Sequence, residues 1–447
     1  MDIVNVNRPS RPTPSLTATE LRRALIQLLP VLGVLLLVSA LTNPGRPTGD
    51  EGPIIAAAHR LLQGHYAVLG AMDGTKYLWH GPGLPAVLAP LVALGVPLNG
   101  LRLTSPLLMF AGVLLFYRLL RLRLSPRGAL IGAYALGLYG PAYYTLGTVA
   151  KEPLALLLSI SMLDGTARYL RDGRRRHAVI AGLSLGGLVM TRLEYGWVVV
   201  VALGIGLVWW LVAAVRSRAA PQVMRPPRRW ALVCAIGLLA CVPWLTYTYA
   251  ITGHLFYWGN SGGLSLYWMA APGPNPLGEW HAPHTVMHQA SLTSYRPFFE
   301  YLARLKPVQR DLELQHVAVV HALAHPGSYA LNLLANVGRM FLGFPFPFTL
   351  SLAVIAGLII INGALLTGLV AAIRSLIRRR ARLPREAIPF LVFGVVGFGV
   401  HLFPAAEPRM VVPLIPVPIW LIGVAFSRRR AIHGRASGTP ERVLLAA

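Results

Sequence analysis

The chain is divided by apolar runs whose lengths approach the 20 or so residues that an α-helix needs to cross the core of a bilayer. Two of these runs, 84–97 and 329–348, are bracketed or broken by proline and suit interfacial or re-entrant segments. The other ten predict membrane-spanning helices, at residues 24–41, 103–120, 128–150, 154–170, 178–191, 196–215, 230–249, 350–373, 388–403 and 411–426. The sequence therefore predicts an all-α, polytopic transmembrane helix bundle with about 10–12 membrane segments.

Arginine clusters separate the apolar runs and predict the orientation of the bundle. The chain has 41 Lys and Arg against 16 Asp and Glu, a formal net charge of +25. In a soluble protein this balance would suggest nucleic acid, but here the basic residues lie between apolar runs, as positive-inside signals do. If the ten runs cross and the two interrupted runs do not, every arginine cluster falls on one side, which is predicted to be cytoplasmic. We expect a multi-pass protein of the cell membrane with no nucleic-acid partner.

The predicted topology gives one membrane domain with two tails. Residues 1–23 are expected to be a disordered cytoplasmic tail, 24–427 the transmembrane domain, and 428–447 a basic cytoplasmic tail. The two longest polar stretches, 42–83 and 250–328, both fall on the extracytoplasmic face, where the acidic residues also concentrate. Because long ordered loops tend to carry function, we expect juxtamembrane helices and loops on this face to form the working surface.

Ionisable residues gather at the outer ends of the predicted helices and in the first outer loop. They include Asp50, Glu51, Lys76, His80, Lys151, Glu152, Arg192, Glu194, His401, Glu407 and Arg409. Charges at membrane depth are costly, so several at one level favour a site. Alternatives remain for single residues: Arg192 could simply pair with Glu194, and Glu152 with Lys151, while Glu51 could serve as a charge at a helix N-terminus.

Adjacent carboxylates with cations nearby suit general-base catalysis on a hydroxyl, in which a cation stabilises a leaving phosphate. The same carboxylates could hold a divalent cation. His281, His284 and His288 have the spacing of a helical zinc site, but Pro283 interrupts that segment, and we predict no metal site. The chain contains no HExxH, CxxC or phosphate-binding GxxxxGK[ST] motif, which argues against zinc-protease and soluble nucleotide chemistry.

Six segments resemble, in order, motifs of the GT-C superfamily of membrane glycosyltransferases, in particular the group of protein O-mannosyltransferases and aminoarabinose transferases. The segments are DEGPIIAAAHRLLQGHYA from Asp50, GTKYLWHGPGLPAVLAPLVALG, TVAKEPLALLLSISML, LSLGGLVMTRLEYGWVVV, VPWLTYTYAITG and AAEPRMVVPLIPVPIWLIG. They cover most of 45–258 and 396–425. Two positions depart from the family pattern: Tyr247 and Thr248 stand where the Pro-Trp motif usually continues Arg-Asn, and His80 stands where a lysine or arginine often precedes the proline pair.

The resemblance implies a glycosyltransferase that moves a sugar from a polyprenyl-phosphate donor in the membrane to an acceptor hydroxyl of a glycan, lipid or protein on the outer face. By similarity, Asp50 is the general base of an inverting displacement, and Glu51 positions the acceptor or a cation. The predicted substrate-binding set is Lys76, His80, Glu152, Arg192, Glu194 and Arg409. No organic cofactor is implied, and the need for a divalent cation is left open.

Two other classes of function stay open. A lipid or sugar transporter would carry charges at the bilayer midplane and an internal repeat, whereas the acids of this chain gather at one face and no repeat is evident. An inactive structural subunit of an envelope-assembly complex would keep the bundle and lose the chemistry. The substitution Asp50→Asn separates these alternatives from an enzyme.

Overall fold

The structure, a computed structural model, describes residues 17–66, 78–216, 221–271, 273, 276–343, 345, 352–379 and 383–436. All regular secondary structure in these residues is helical, which confirms the predicted all-α class. The helices of the first half are α1 (Ala18–Leu41), α2 (Glu51–Leu62), α3 (Gly83–Ala93), α4 (Leu98–Arg102), α5 (Thr104–Leu120), α6 (Pro126–Gly137), α7 (Lys151–Asp172), α8 (Arg175–Thr191) and α9 (Tyr195–Arg216).

The second half continues with ten α-helices. They are α10 (Pro221–Ala240), α11 (Val242–Thr252), α12 (Gly262–Ala270), α13 (Pro283–His288), α14 (Arg296–Arg304), α15 (Pro307–Ala324), α16 (Pro326–Leu342), α17 (Leu352–Arg378), α18 (Ala387–Leu402) and α19 (Pro416–Ala436). Four short 3-10 helices connect them in places, at Gly140–Thr145, Pro276–Gly278, Ala290–Tyr295 and Pro408–Leu414.

Four helices of the described chain are long and apolar enough to cross a membrane, which makes this a polytopic membrane protein. They are α1, α4 with α5, α9 and α17. Two bent pairs, α10 with α11 at 46° and Pro408–Leu414 with α19 at 49°, raise the number to six if each pair is one span. The predicted segments 178–191 and 388–403 correspond to α8 and α18, which have only 17 and 16 residues. The predicted 10–12 membrane segments therefore include helices shorter than a full crossing.

The predicted single helix at 128–150 is wrong. Helix α6 ends at Gly137, and the chain continues through the 3-10 helix Gly140–Thr145 before α7 begins. The physical reason is Pro141, which cannot donate a backbone hydrogen bond and follows a glycine. At the doubtful stretch 84–97, α3 has 11 residues and is about 16 Å long, roughly half the thickness of a bilayer core.

Helix α7 lies at the centre of the bundle and packs against α5, α8 and α10. Small residues allow this close approach: a Cβ on Gly165 of α7 would lie 3.0 Å from the Cβ of Ala181 on α8. Buried aliphatic and aromatic side chains fill the space between these helices, among them Phe116, Leu156 and Leu163. Tight small-residue packing of this kind holds helices together in a membrane, where burial of apolar surface provides little driving force.

The predicted outer stretch 250–328 is largely helical and has a core of its own. Trp268, Tyr295, Phe299 and Leu314 are buried there between α12, α14 and α15. The buried carboxylate of Asp311 on α15 accepts hydrogen bonds from the Tyr257 hydroxyl at 3.0 Å and from the Gly263 backbone N–H at 2.7 Å. These bonds fix the start of α12, whose first turn lies beside the cavity described next.

Candidate active site

A cavity of about 270 Å³ lies where α2, α7, α16 and the break between α8 and α9 meet the 3-10 helix Pro408–Leu414. Its charged and titratable lining residues are Asp50, Lys151, Glu152, Arg192, Glu194, Arg339, His401, Glu407 and Arg409, and two tryptophans, Trp79 and Trp280, also line it. Five of the eight site residues predicted from the sequence thus lie around one cavity. The segment around Arg192 and Glu194 is a tight turn, so both side chains reach the cavity from the ends of two helices.

Asp50 stands at the mouth of the cavity with its side chain 36% exposed. It occupies the N-cap position of α2, but its carboxylate accepts no capping hydrogen bond, so the side chain is available to the cavity. Lys151 Nζ lies 3.4 Å from Oδ2 of Asp50, and His80 Nε2 lies 3.7 Å from Oδ1. Lys151 Nζ also lies 3.0 Å from His80 Nδ1. The three side chains form one cluster.

The charges of this cluster set its protonation. Burial favours the neutral form of Asp50, but the positive charges around it, that of Lys151 above all, together outweigh burial and lower the pKa of Asp50 below its ordinary value. Burial, with the nearby Lys151 ammonium, lowers the pKa of His80 to about 3. Asp50 is therefore a carboxylate and His80 a neutral imidazole at neutral pH.

Glu51 points away from the cavity although it follows Asp50 directly. Its carboxylate is buried, accepts two hydrogen bonds from the guanidinium of Arg102 at 2.8 and 2.7 Å, and a third from the backbone N–H of Val149 at 3.0 Å. Consecutive residues on a helix diverge by about 100°, which separates the two carboxylates. Glu51 thereby ties α2 to the segment that leads into Lys151.

Acids and bases alternate along the inner wall of the cavity. Arg192 donates to Glu152 at 3.0 Å and to Glu194 at 2.6 Å. Arg409 pairs with Glu407 at 2.7 Å and approaches Glu152 at 3.9 Å. Of the pairings that the sequence left open, Arg192 pairs with Glu194, whereas Glu152 pairs with Arg192 and Lys151 with Asp50.

Glycines and an asparagine hold the walls in place. A Cβ on Gly81 would lie 2.0 Å from the carbonyl oxygen of Met190, so only glycine lets the segment after His80 lie against the end of α8. On the opposite wall the Asn336 amide donates to the carbonyls of Leu402 and Pro404 at 2.8 and 2.7 Å, and its oxygen accepts from the Ala406 N–H at 3.0 Å. This one buried side chain fixes the chain just before Glu407 and Arg409.

Arg339 of α16 is the lining residue that the sequence reasoning missed. Its side chain is buried and contacts the Asn336 side-chain oxygen at 3.4 Å and the Met269 sulfur at 3.4 Å. The charge of Glu279 acts on it, but among the described residues Arg339 has no direct ion pair like those of Arg192 and Arg409. An arginine inside the apolar stretch 329–348 is the signal that could have identified it. Lys151 was noted in the sequence but not included in the predicted site.

Two further predictions concern Lys76 and the histidines of the outer loop. Lys76 lies outside the described residues. His281 lies beside Glu279 at 3.6 Å and packs edge-on against Trp268, and the described residues contain no group of three His, Cys, Asp or Glu side chains arranged to bind a metal ion.

An apolar cleft of about 240 Å³ begins close to the two arginines. Phe341 and Val411 line it, each two residues after Arg339 and Arg409 respectively. The cleft continues between α17, α18 and α19, and Val395 at its outer side is 68% exposed. The cleft therefore has one end within two residues of the cavity lining along the chain and an exposed apolar residue on its outer side.

No protein-family model matches the sequence, and no curated protein matches it. Among solved structures, the chain is similar to the oligosaccharyltransferase AglB from Archaeoglobus fulgidus in complex with an inhibitory peptide and a dolichol-phosphate, at 14% identity and a TM-score of 0.48 over 92% of this chain and 52% of AglB. It is similar to ArnT from Cupriavidus metallidurans bound to undecaprenyl phosphate, at 16% identity and a TM-score of 0.39 over 93% of this chain and 81% of ArnT.

A third similar structure is the arabinosyltransferase EmbB from Mycobacterium smegmatis, at 15% identity and a TM-score of 0.38 over 98% of this chain and 44% of EmbB. The chain thus spans about half the length of AglB and less than half of EmbB. All three proteins have the GT-C fold, the fold of the superfamily that the sequence motifs resemble. Similarity at this level does not establish an activity.

Proposed function

We propose that the cavity transfers a glycosyl unit from a polyprenyl-phosphate donor to an acceptor hydroxyl on the extracytoplasmic face of the cell membrane. The observation that carries the proposal is the environment of Asp50: an ionised, partly exposed carboxylate that caps no helix and has Lys151 at 3.4 Å. The motif resemblance of the sequence supports the same class of reaction. The acceptor is a glycan, a lipid or a protein.

In the proposed step Asp50 accepts the proton of the acceptor hydroxyl as its oxygen attacks the anomeric carbon of the donor sugar. The bond between that carbon and the phosphate oxygen breaks, and polyprenyl phosphate leaves with the electron pair. A single displacement inverts the anomeric centre. General-base catalysis of this kind contributes about 10²- to 10⁴-fold to a rate.

Lys151 would link donor binding to the strength of the base. When no donor is bound, the charge of Lys151 lowers the pKa of Asp50 and so makes Asp50 a weaker base. When a donor phosphate shares the lysine, the pull on Asp50 is smaller and its pKa rises toward the ordinary value. The base would therefore strengthen when the donor is in place.

The donor phosphate is proposed to bind Lys151 and Arg339. Arg192 and Arg409 already have carboxylate partners at 2.6–3.0 Å, so their main proposed role is to fix the wall of the cavity with Glu152, Glu194 and Glu407. Arg339 has no such partner among the described residues, and a buried guanidinium gains most from an anion. His80 is neutral and would orient Lys151 rather than supply charge.

The structure also offers binding surfaces for the isoprene chain and the sugar ring of the donor. The apolar cleft that starts at Phe341 and Val411 suits the first isoprene units, because a lipid-borne donor needs an opening toward the membrane. Trp79 and Trp280 line the cavity and can stack on a sugar ring through their faces.

The test is transfer from a panel of labelled polyprenyl-phosphate sugars by purified wild-type protein and by Asp50→Asn. We expect Asp50→Asn to lower the rate by at least about 10²-fold. The matched control is Asp172→Asn, the same chemical change at the other end of α7, which should leave the rate unchanged. Equal elution of all three proteins in size-exclusion chromatography would show that they fold.

A folded Asp50→Asn protein with the wild-type rate would overturn the assignment of the base. The transporter alternative predicts a different result: labelled donor would cross the membrane of sealed vesicles in the absence of any acceptor, and no transfer product would form.

A further inference from the structure

A second cavity, about 910 Å³ in volume, lies at the end of the bundle opposite the candidate active site. Helix α8 links the two places: Arg175 at its start lines this groove, and Arg192 follows its last residue in the active-site cavity. A helix of 17 residues is about 25 Å long, so the groove is distant from Asp50. Nothing in the proposed glycosyl transfer requires it.

The floor of the groove is made by small side chains. Helix α10 lies between α8 and α9, and Ala178, Ala231 and Ala235 leave a channel along the contact. The channel stays open because no larger side chain fills it, although α8 and α10 touch closely further along, where a Cβ on Gly182 would lie 2.5 Å from Ile236.

The walls of the groove are apolar and turned outward. Val179, Leu207 and Leu232 are 44%, 42% and 43% exposed, and Trp210 beside them is 38% exposed. From Arg228 to Ile236 the groove follows nine residues of α10, about 12 Å of helix. In a membrane protein such a surface contacts acyl chains, and tryptophan favours the level of the lipid headgroups.

One end of the groove is basic, and the nearby Asp172 pairs with Arg174 and His177. Arg175 and Arg228 are exposed, line the groove, and form no ion pair within the part of the chain that the structure describes. Arg229, beside them, already uses part of its guanidinium, which donates hydrogen bonds to the carbonyls of Tyr169 and Leu170 at 3.0 Å each. None of the described residues that line the groove is a carboxylate, so two guanidinium groups remain for an anion.

We propose that this groove binds one anionic phospholipid, with its headgroup phosphate on Arg175 and Arg228 and an acyl chain along the apolar walls. The combination of charge at one end and outward apolar walls fits a lipid better than a soluble anion, because a soluble anion would leave the walls unused. The two arginines belong to the clusters that the sequence predicts to be cytoplasmic, which would place the lipid in the inner leaflet.

The test is native mass spectrometry of the full-length protein in a neutral detergent, titrated with phosphatidylglycerol or phosphatidylcholine. We expect one phosphatidylglycerol to bind about tenfold more tightly than phosphatidylcholine. The double variant Arg175→Gln/Arg228→Gln should lose this preference. Arg127→Gln, an exposed arginine at the start of α6 that does not line the groove, is the matched control and should keep it.

A second variant tests the walls without changing any charge. Ala235→Leu should fill the groove and weaken binding of both lipids, whereas Ala371→Leu, on an exposed face of α17, should not. The proposal is overturned if the double variant keeps the preference for phosphatidylglycerol, or if Ala235→Leu binds both lipids as tightly as wild type. It is also overturned if glycerol 3-phosphate, which has the headgroup charge and no chains, binds as tightly as the lipid.

Discussion

Arg102 holds Glu51 through two hydrogen bonds of 2.8 and 2.7 Å, and both side chains are buried. Because of this ion pair, the adjacent carboxylates Asp50 and Glu51 have different partners and different roles. Because Glu51 also accepts the N–H of Val149, it holds α2 against the chain that leads to Lys151. Asp50, in contrast, has its carboxylate in the cavity.

Glu51→Gln is therefore expected to act on folding before it acts on chemistry. The change leaves a buried guanidinium without its counter-charge, which costs about 3 kcal/mol. We expect a clearly lower Tm in detergent and a smaller loss of transfer rate per folded molecule than in Asp50→Asn. Glu20→Gln, on an exposed carboxylate that lies 3.4 Å from Arg121, is the control and should change Tm little. An unchanged Tm with abolished transfer would instead assign Glu51 to the chemistry.

The pH dependence of transfer should reflect the lowered pKa of Asp50. Because the pKa of Asp50 lies below the ordinary value of 3.8, this base is protonated only in strong acid. The rate should therefore stay level from neutral pH down to about pH 5. In Lys151→Met the largest charge effect that lowers the pKa of Asp50 is gone while burial still raises it, so the acid limb should move to higher pH. Lys306→Met, on an exposed lysine before α15, should leave the profile in place. A profile that is the same in Lys151→Met and wild type would contradict the pairing.

Arg339→Gln should weaken donor binding with little effect on folding. Glu279 loses a favourable charge at a distance but no direct ion pair, and the lost contact under the proposal is with the donor phosphate. We expect KM for the donor to rise about tenfold or more while kcat changes less. Arg304→Gln, an exposed arginine at the end of α14, is the matched control. A fall in kcat at constant KM would place Arg339 in the displacement step instead.

Gly81→Ala should disturb the cavity through the backbone. The new methyl group would lie 2.0 Å from the carbonyl oxygen of Met190, so the segment that carries His80 must move. We expect lower transfer and a lower Tm. Gly204→Ala in α9 is the control, because its added Cβ meets nothing within 4 Å and alanine favours a helix. Wild-type behaviour of Gly81→Ala would show that this close approach does not constrain the site.

Transfer is expected to continue in the presence of a chelator. The oxygens of Asp50 face Lys151 and His80, and Glu51 is occupied by Arg102, so the pair cannot act together as ligands of one divalent cation. The measurement is the initial rate with and without EDTA. A loss of rate that Mg²⁺ or Mn²⁺ restores would show that a cation takes part in the reaction.

Much of the site follows from the sequence because its residues lie at the ends of long apolar helices. Glu152 and Arg192 are flanked by apolar sequence on both sides, and such helix ends meet at one level of a bundle. The partners were not predictable. Lys151 and Glu152 are adjacent, yet they pair with Asp50 and Arg192, because neighbouring residues on a helix point to different sides.

The fold shows the same limit. The hydropathy pattern predicts most of the helices, but it predicts one helix where the structure has α6 and the 3-10 helix Gly140–Thr145. Both elements are apolar, and only the local Gly-Pro pair marks the break between them. Arg339 could be recognised as unusual from its apolar surroundings, but its position in the cavity depends on how α16 packs against α18, which no local pattern records.

The lining of the cavity has a consequence for how charge is conserved. Among its described residues, Asp50, Glu152, Glu194 and Glu407 balance Lys151, Arg192, Arg339 and Arg409, so with histidine neutral the cavity starts with zero net charge. A diester donor brings one negative charge, and its departure as a monoester creates a second just as Asp50 is neutralised by the incoming proton. The net charge of the cavity residues and the bound donor would therefore be the same before and after the displacement. No ion would have to enter from water to balance a change in charge.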